Sequence, residues 1–350
     1  MSTLAVAATR HACARPLVVR FGALGDMTLL TPLIRELHAR FAAPVDIACG
    51  GWVRPLLEGQ PGVGTLYPLF TRQLAFVCNP QQWLFVERLR ARGCGPVWIC
   101  QTDEISHALV RRAGIDSKWC VTQRDFPHLP HEHAVDWLLR MARATPPILA
   151  DLASPPPVRL APQLVLPQGA MEDAHTWLAQ RGLTDRPLVL VQAGNKRTMR
   201  LGLRDRARNT KYWPEERWAA VIDGIHRQLP DAAILLLGVR MESLLNRKIL
   251  RHARTRCAVD VAGEVPMRRL IALCSQARGM VSVDTGPAHV AAAVGCPLVV
   301  MFGAQDPSFY APRSESSGLE IIAGVRASEH PLLGITPEVV LEAWARLTRA

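Results

Sequence analysis

The sequence predicts an α/β protein of two doubly wound, Rossmann-like domains. Three observations carry that expectation. The chain, at 350 residues, is longer than one typical domain. Short apolar strands alternate with helical patterns in both halves, the signature of parallel sheets wound with helices. The alternation breaks once, at TPPILADLASPPPVRLAPQLVLP (145–167), which is too rich in proline for a helix or a central strand. These observations divide the chain into a disordered leader (1–15), a first domain (16–145), a linker (146–168) and a second domain (169–335).

From Pro16 the first domain reads as the strand PLVVRF, a helix, then VDIAC at 45–49 and VWIC at 97–100. The helix buries Leu30, Leu33, Leu37 and Phe41 at helical spacing, and Pro32 either kinks it or moves its start to Thr31. The second domain opens with a helix over 169–182 and the strand PLVLVQAG (187–194). A helix from Pro214, the strand AAILLLG (232–238) and a helix through Glu242–Arg254 follow. Then come a short strand near AVDVAG, a helix from Met267, the strand GMVSV (279–283), a helix from Pro287 and PLVVMFG (297–303). The last stretch, 336–349, is an amphipathic helix with Thr336 as N-cap and Pro337 at its first position, able to pack back on the first domain.

Composition narrows the class. No block of 18 residues is apolar and free of charge, so no spanning helix is expected. In the leader the cations lie behind the apolar stretch, the reverse of a secretory signal. Nine cysteines, an odd number with no C-x-x-C pair, read as ordinary thiols of a reduced cytoplasm. The net charge of +11 is concentrated: NKRTMRLGLRDRARNTK (195–211) holds seven cations against Asp205 alone. Such a segment suits a polyanionic ligand, namely phosphate, an acidic glycan or an anionic membrane face; the alternative is a solvated loop.

Ligands of open α/β sheets bind at the carboxyl ends of the strands, and two such domains leave a cleft there. Four strand-to-helix turns are chemically loaded. The first, GALGD at 22–26, fits neither a dinucleotide fingerprint nor a phosphate loop. Gly22 and Gly25 allow close backbone approach, and Asp26 stands at a helix start as a cap or a ligand-facing acid. The second ends in TKYWPEERW, where Lys211 lies just before a helix. In the third, LGVRMESLLNRKI, Glu242 is placed to accept from ribose hydroxyls or to stand as a first-turn surface charge. The fourth, VSVDTGPAHVAAAVG, sets Asp284, Thr285, Gly286, Pro287 and His289 around a helix N-terminus, an arrangement suited to anions.

At this point the sequence resembles glycosyltransferase family 9, the heptosyltransferases of lipopolysaccharide core assembly. VVRFGALGDMTLLTPLIREL, the K-x-W-P segment at 211–214 and DTGPAHVAAAVGCPLVVMFGAQDP carry the resemblance across both domains, in order. It implies a GT-B fold, with an acceptor domain first and a nucleotide-sugar domain second. It also implies inverting, metal-independent transfer of heptose, with ADP-heptose as donor and an anionic, lipid-linked glycan as acceptor at the inner face of the plasma membrane. Residue by residue, Asp26 matches the general base on the acceptor hydroxyl, and Lys211 the lysine that steadies the departing diphosphate. Glu242 matches an acid at the ribose. Asp284, Thr285, Gly286, Pro287 and His289, with Asn195, form the donor set. Gly22, Ala23 and Gly25 lie on the acceptor side, and Arg200, Arg204 and Arg208 join it on their charge alone, in a loop longer than the core-heptose enzymes carry. Gly22 and Ala23 stand where the well-studied members carry two serines.

Other constellations weigh less. His128, His131 and His133 precede an amphipathic helix without the i, i+4 spacing of a helical zinc site, so they read as loop histidines and no metal or cofactor is expected. The arginine loop lacks aromatics interleaved with its charges, which argues against single-stranded nucleic acid. The competing functional readings are a sugar-nucleotide epimerase or hydrolase on the same scaffold and a non-catalytic anion-binding protein.

Overall fold

The computed structural model describes residues 15–71, 75–152, 156, 160–195, 198 and 209–348. The chain divides into two compact units, Met1–Ala161 and Pro162–Ala350.

The first unit is a five-stranded parallel sheet in the order β3-β2-β1-β4-β5. Its strands are β1 (Leu17–Val19), β2 (Val45–Gly50), β3 (Val63–Leu69), β4 (Val97–Ile99) and β5 (Cys120–Thr122). The two edge strands are additions to the sequence reading. VGTLYPL carries Pro68 and Gly64, which an edge strand tolerates, and CVT is only three residues long. The helices are α1 (Leu24–Leu29), α2 (Thr31–Phe41), α3 (Pro80–Arg92), α4 (Glu104–Arg112) and α5 (Ala134–Arg143). Pro32 resolves the choice left by the sequence: the helical stretch breaks at Leu30, and the proline sits in the first turn of α2, where a missing N–H costs nothing.

One face of this sheet buries Val19, Phe21, Phe85, Leu89, Val97 and Leu109 in a common core. Trp98, alternating to the other face, is fully buried and donates its indole N–H to the Met141 carbonyl of α5 at 2.9 Å. Arg40 fastens the end of α5, donating to the carbonyls of Ala142, Arg143 and Ala144.

The second unit is a six-stranded parallel sheet in the order β11-β10-β9-β6-β7-β8. It comprises β6 (Leu188–Gln192), β7 (Ala233–Leu236), β8 (Ala258–Asp260), β9 (Gly279–Val283), β10 (Leu298–Phe302) and β11 (Leu319–Ala323). Its helices are α6 (Ala170–Ala179), α7 (Glu215–Gln228), α8 (Ser243–His252), α9 (Met267–Gln276), α10 (Gly286–Ala293) and α11 (Pro337–Thr348). The strand order is that of the dinucleotide folds, reversing between β6 and β9, so ligand chemistry belongs at the ends of those two strands.

The C-terminal helix has its packing partners within the second unit, on α7, β9, β10 and β11. Two glycines explain why it seats there. A Cβ on Gly279 would come within 2.7 Å of the fully buried Trp344 ring, and one on Gly224 would run into Leu341. Truncating such a tryptophan costs about 3–5 kcal/mol, so this helix is part of the core.

Candidate active site

In the second unit, β9 ends at Val283 and delivers Asp284, Thr285 and the N-terminus of α10 to the switch point. Lys211 donates its ammonium to the Asp284 carboxylate Oδ2 at 2.5 Å and to the Asp284 carbonyl at 2.8 Å. An ammonium has three N–H donors, so one remains for a ligand. His289 Nε2 lies 3.8 Å from the other Asp284 oxygen, and its buried Nδ1 has no hydrogen-bond partner among the described residues. Burial pushes the Asp284 carboxyl up, but the His289 and Lys211 contacts outweigh it and hold the group below its ordinary range. Asp284 is thus an ionised anchor for Lys211.

The segment carrying Lys211 is itself held. Asn195 donates to the Lys211 carbonyl at 3.4 Å, and Asn209 accepts from its backbone N–H at 3.2 Å. Gly303, just beyond β10, admits the Thr210 carbonyl where any side chain would collide with it. Thr285, the N-cap of α10, spends no side-chain bond on capping, and its hydroxyl lies 3.4 Å from Ser282 Oγ. Gly286 and Pro287 form the first turn of α10; Ala288, Ala291, Ala292 and Ala293 behind them are buried.

Glu242 departs from the picture of a surface or open ribose-facing acid. It is 4% exposed, and its Oε2 accepts the Val239 N–H at 2.8 Å. It lies against Gly194 after β6 and Gly238 after β7, where a Cβ at either position would clash with it. Burial drives its carboxyl up to about 7, although the Val239 N–H and Gln192 both favour the ionised form.

The first unit repeats this device. Asp26 occupies the third position of α1, and its Oδ2 accepts the Ala23 N–H at 2.8 Å while Oδ1 accepts from Arg20 Nη2 at 3.3 Å. The side chain remains 32% exposed. Gly22 is explained by its neighbour: a Cβ there would sit 2.5 Å from Asp26 Cβ, so the glycine makes room for the carboxylate to fold back on the turn. Gly25 is buried in α1 and Ala23 is its N-cap.

Arg20 is the residue that the sequence reading missed. It follows β1 directly, is 12% exposed in its side chain, and donates to both Asp26 and the Cys100 carbonyl after β4. A cation placed immediately behind an apolar strand was the available signal. Of the expected acceptor-side arginines, Arg200, Arg204 and Arg208 lie outside the described residues.

The histidine cluster takes structural positions. His133 caps α5 by accepting the Val135 N–H at 3.1 Å, and the His128 ring packs 4.3 Å from that of Trp137. Among the described residues, no group of three or more His, Cys, Asp or Glu side chains is placed to hold a metal ion. No helix among them is long and apolar enough to cross a membrane.

Comparison with known proteins agrees with this geometry. The model of glycosyltransferase family 9 (heptosyltransferase) matches residues 133–326, more than half of the chain. Lipopolysaccharide heptosyltransferase 2 of Escherichia coli K12 is 26% identical over 345 residues, covering 91% of this chain and 94% of that protein. Among solved structures, E. coli ADP-heptose lps heptosyltransferase II superposes with a TM-score of 0.74 at 22% identity, covering 96% of this chain and 98% of that one. A family 9 glycosyl transferase from Veillonella parvula superposes at 0.80 with 18% identity, covering 96% and 97%. These two establish the fold.

Proposed function

The chain belongs to glycosyltransferase family 9, and on that premise we propose that it transfers a heptose from ADP-heptose, with inversion and without a metal, to a lipopolysaccharide-core glycan. The acceptor hydroxyl oxygen attacks the anomeric carbon of the donor. The bond from that carbon to the diphosphate breaks, ADP leaves with the electron pair, and the hydroxyl proton passes to Asp26. A single displacement requires one base and no covalent intermediate.

The observation that carries the donor half is the Lys211–Asp284 pair at the N-terminus of α10. The carboxylate fixes the ammonium in place, so the third N–H of Lys211, the Thr285 hydroxyl and the helix N-terminus act together on the departing phosphate. Such preorganised donors stabilise developing negative charge most where they need no rearrangement. His289 contributes its unpartnered Nδ1 to the same ligand, and Asn195 serves by holding Lys211. Glu242, buried behind Gly194 and Gly238, acts on the ribose side by shaping the turns after β6 and β7 rather than by direct contact.

On the acceptor side, Asp26 is held by the Ala23 N–H and Arg20 yet keeps a third of its surface open, as a base must. Gly22, Ala23 and Gly25 shape this turn. Arg200, Arg204 and Arg208 attract the carboxylates and phosphates of the acceptor, and the protein acts in the cytoplasm, peripherally at the inner leaflet. Incubation with ADP-heptose and a deacylated inner-core oligosaccharide tests the reading. ADP release that depends on the oligosaccharide, with heptose joined to it in inverted configuration, is expected. Free heptose released without acceptor would instead identify a hydrolase.

A further inference from the structure

Two aromatic rings lie on the same sheet edge as Asp26. Trp52 follows β2 and is 56% exposed; Phe70 follows β3 and is 62% exposed. Both rest on glycine. A Cβ on Gly50 would stand 2.6 Å from the Trp52 indole, and one on Gly51 would run into the Phe70 ring. Each ring therefore has one side pressed on bare backbone and keeps more than half its surface in water. Ordinary packing hides aromatic surface, because a ring of this size gains most from full burial. Two adjacent glycines that support two outward-facing rings build a platform instead.

The placement limits what the platform meets. β1, β2 and β3 are parallel neighbours, so their carboxyl ends share one edge. With strands about 5 Å apart, Trp52 and Phe70 emerge about one and two strand spacings from the strand that leads to Asp26. That span matches one to two sugar rings. The chemistry matches as well: one side of a pyranose presents C–H groups bearing partial positive charge, which the negative face of an aromatic ring attracts. After Phe70 the chain is tied at two points, Asn79 donating to the Thr71 carbonyl at 2.9 Å and Trp83 to the Phe76 carbonyl at 2.6 Å.

We propose that Trp52 and Phe70, seated on Gly50 and Gly51, form an acceptor subsite that stacks the sugar rings next to the one whose hydroxyl is attacked. This rests on Asp26 marking the acceptor side. The subsite selects an acceptor glycan longer than one sugar and holds it for attack, and neither ring touches the donor.

The test is direct binding of a deacylated inner-core oligosaccharide by calorimetry, without donor, alongside acceptor and donor KM values. Trp52→Ala and Phe70→Ala are each expected to weaken oligosaccharide binding and raise acceptor KM by about five- to tenfold. Donor KM should stay unchanged, and Trp52→Phe should recover most of the loss. Unchanged binding by both alanine variants overturns the proposal. An effect seen only with acylated acceptor in anionic vesicles also overturns it, assigning the rings to the lipid surface. Failure of the wild-type protein to bind the oligosaccharide at all would overturn the functional reading itself, an outcome distinct from equal binding by wild type and variants.

Discussion

Gly22→Ala is the sharpest probe of how the Asp26 turn is built. The new methyl carbon would stand 2.5 Å from Asp26 Cβ and 3.2 Å from its carboxyl carbon, against about 3.5–4.0 Å for a comfortable carbon contact. An overlap of about 1 Å must be relieved by Asp26 swinging off the turn or by α1 shifting. Either movement strains or breaks the Ala23 N–H···Asp26 bond, and the combined cost of overpacking and a lost cap is about 1–3 kcal/mol. For a unit of this size the melting temperature should fall by about 2–4 °C per kcal/mol. A reacting group displaced by about 1 Å loses about a hundredfold in rate. Thermal melting, kcat with saturating oligosaccharide and ADP-heptose affinity together decide the point. The expected result is a modest drop in melting temperature, a fall in kcat of about a hundredfold and an unchanged donor affinity, since the proposed donor groups belong to the other unit. Wild-type kcat with wild-type melting would refute the claim that Gly22 exists to place Asp26.

Further consequences follow from the second unit and the basic loop. Gly303→Ala should push the Thr210 carbonyl and with it Lys211, lowering kcat and destabilising the protein by about 1–3 kcal/mol, read by melting and initial rates. Glu242 has a carboxyl raised from 4.5 to about 7 in the fold, so its contribution to stability is complete below pH 4.5 and is lost as pH rises through 7. That loss is about 3 kcal/mol, and Glu242→Gln should flatten this part of the denaturation profile; an unaltered profile would show that the acid is not buried neutral. Replacing Arg200, Arg204 and Arg208 with glutamine should raise acceptor KM and weaken its salt dependence without touching donor KM.

Much of this architecture was legible in the sequence because its signals are local. VDIAC, PLVLVQAG and PLVVMFG are apolar runs that suit a buried strand, and DTGPAH announces a helix start at a strand end. The edge strands β3 and β5 lacked such runs, since an edge needs less apolar surface. Trp344 gave no hint of its position, because an amphipathic helix tells which face is buried but not against what; Gly279 and Gly224 settle that at long range. The same holds in the site. Asp26 and Lys211 stood out in the sequence, whereas the role of Asp284 as anchor, the burial of Glu242 and the contribution of Arg20 depend on contacts 73, 48 and 6 residues apart in turn: Lys211 with Asp284, Gly194 with Glu242, and Arg20 with Asp26. Pattern reading names the acid; only packing says what holds it.

Asp26 is either a base or merely a cap, and Asp26→Asn separates the two. Asparagine keeps an oxygen for the Ala23 N–H, so the turn of α1 survives, but it cannot take a proton at neutral pH. Single-turnover transfer from ADP-heptose to the deacylated oligosaccharide should fall by about 10²–10⁴-fold, with donor affinity close to wild type and a modest drop in melting temperature from the lost Arg20 bond. Turnover within a few-fold of wild type would contradict the assignment and leave Asp26 as a cap.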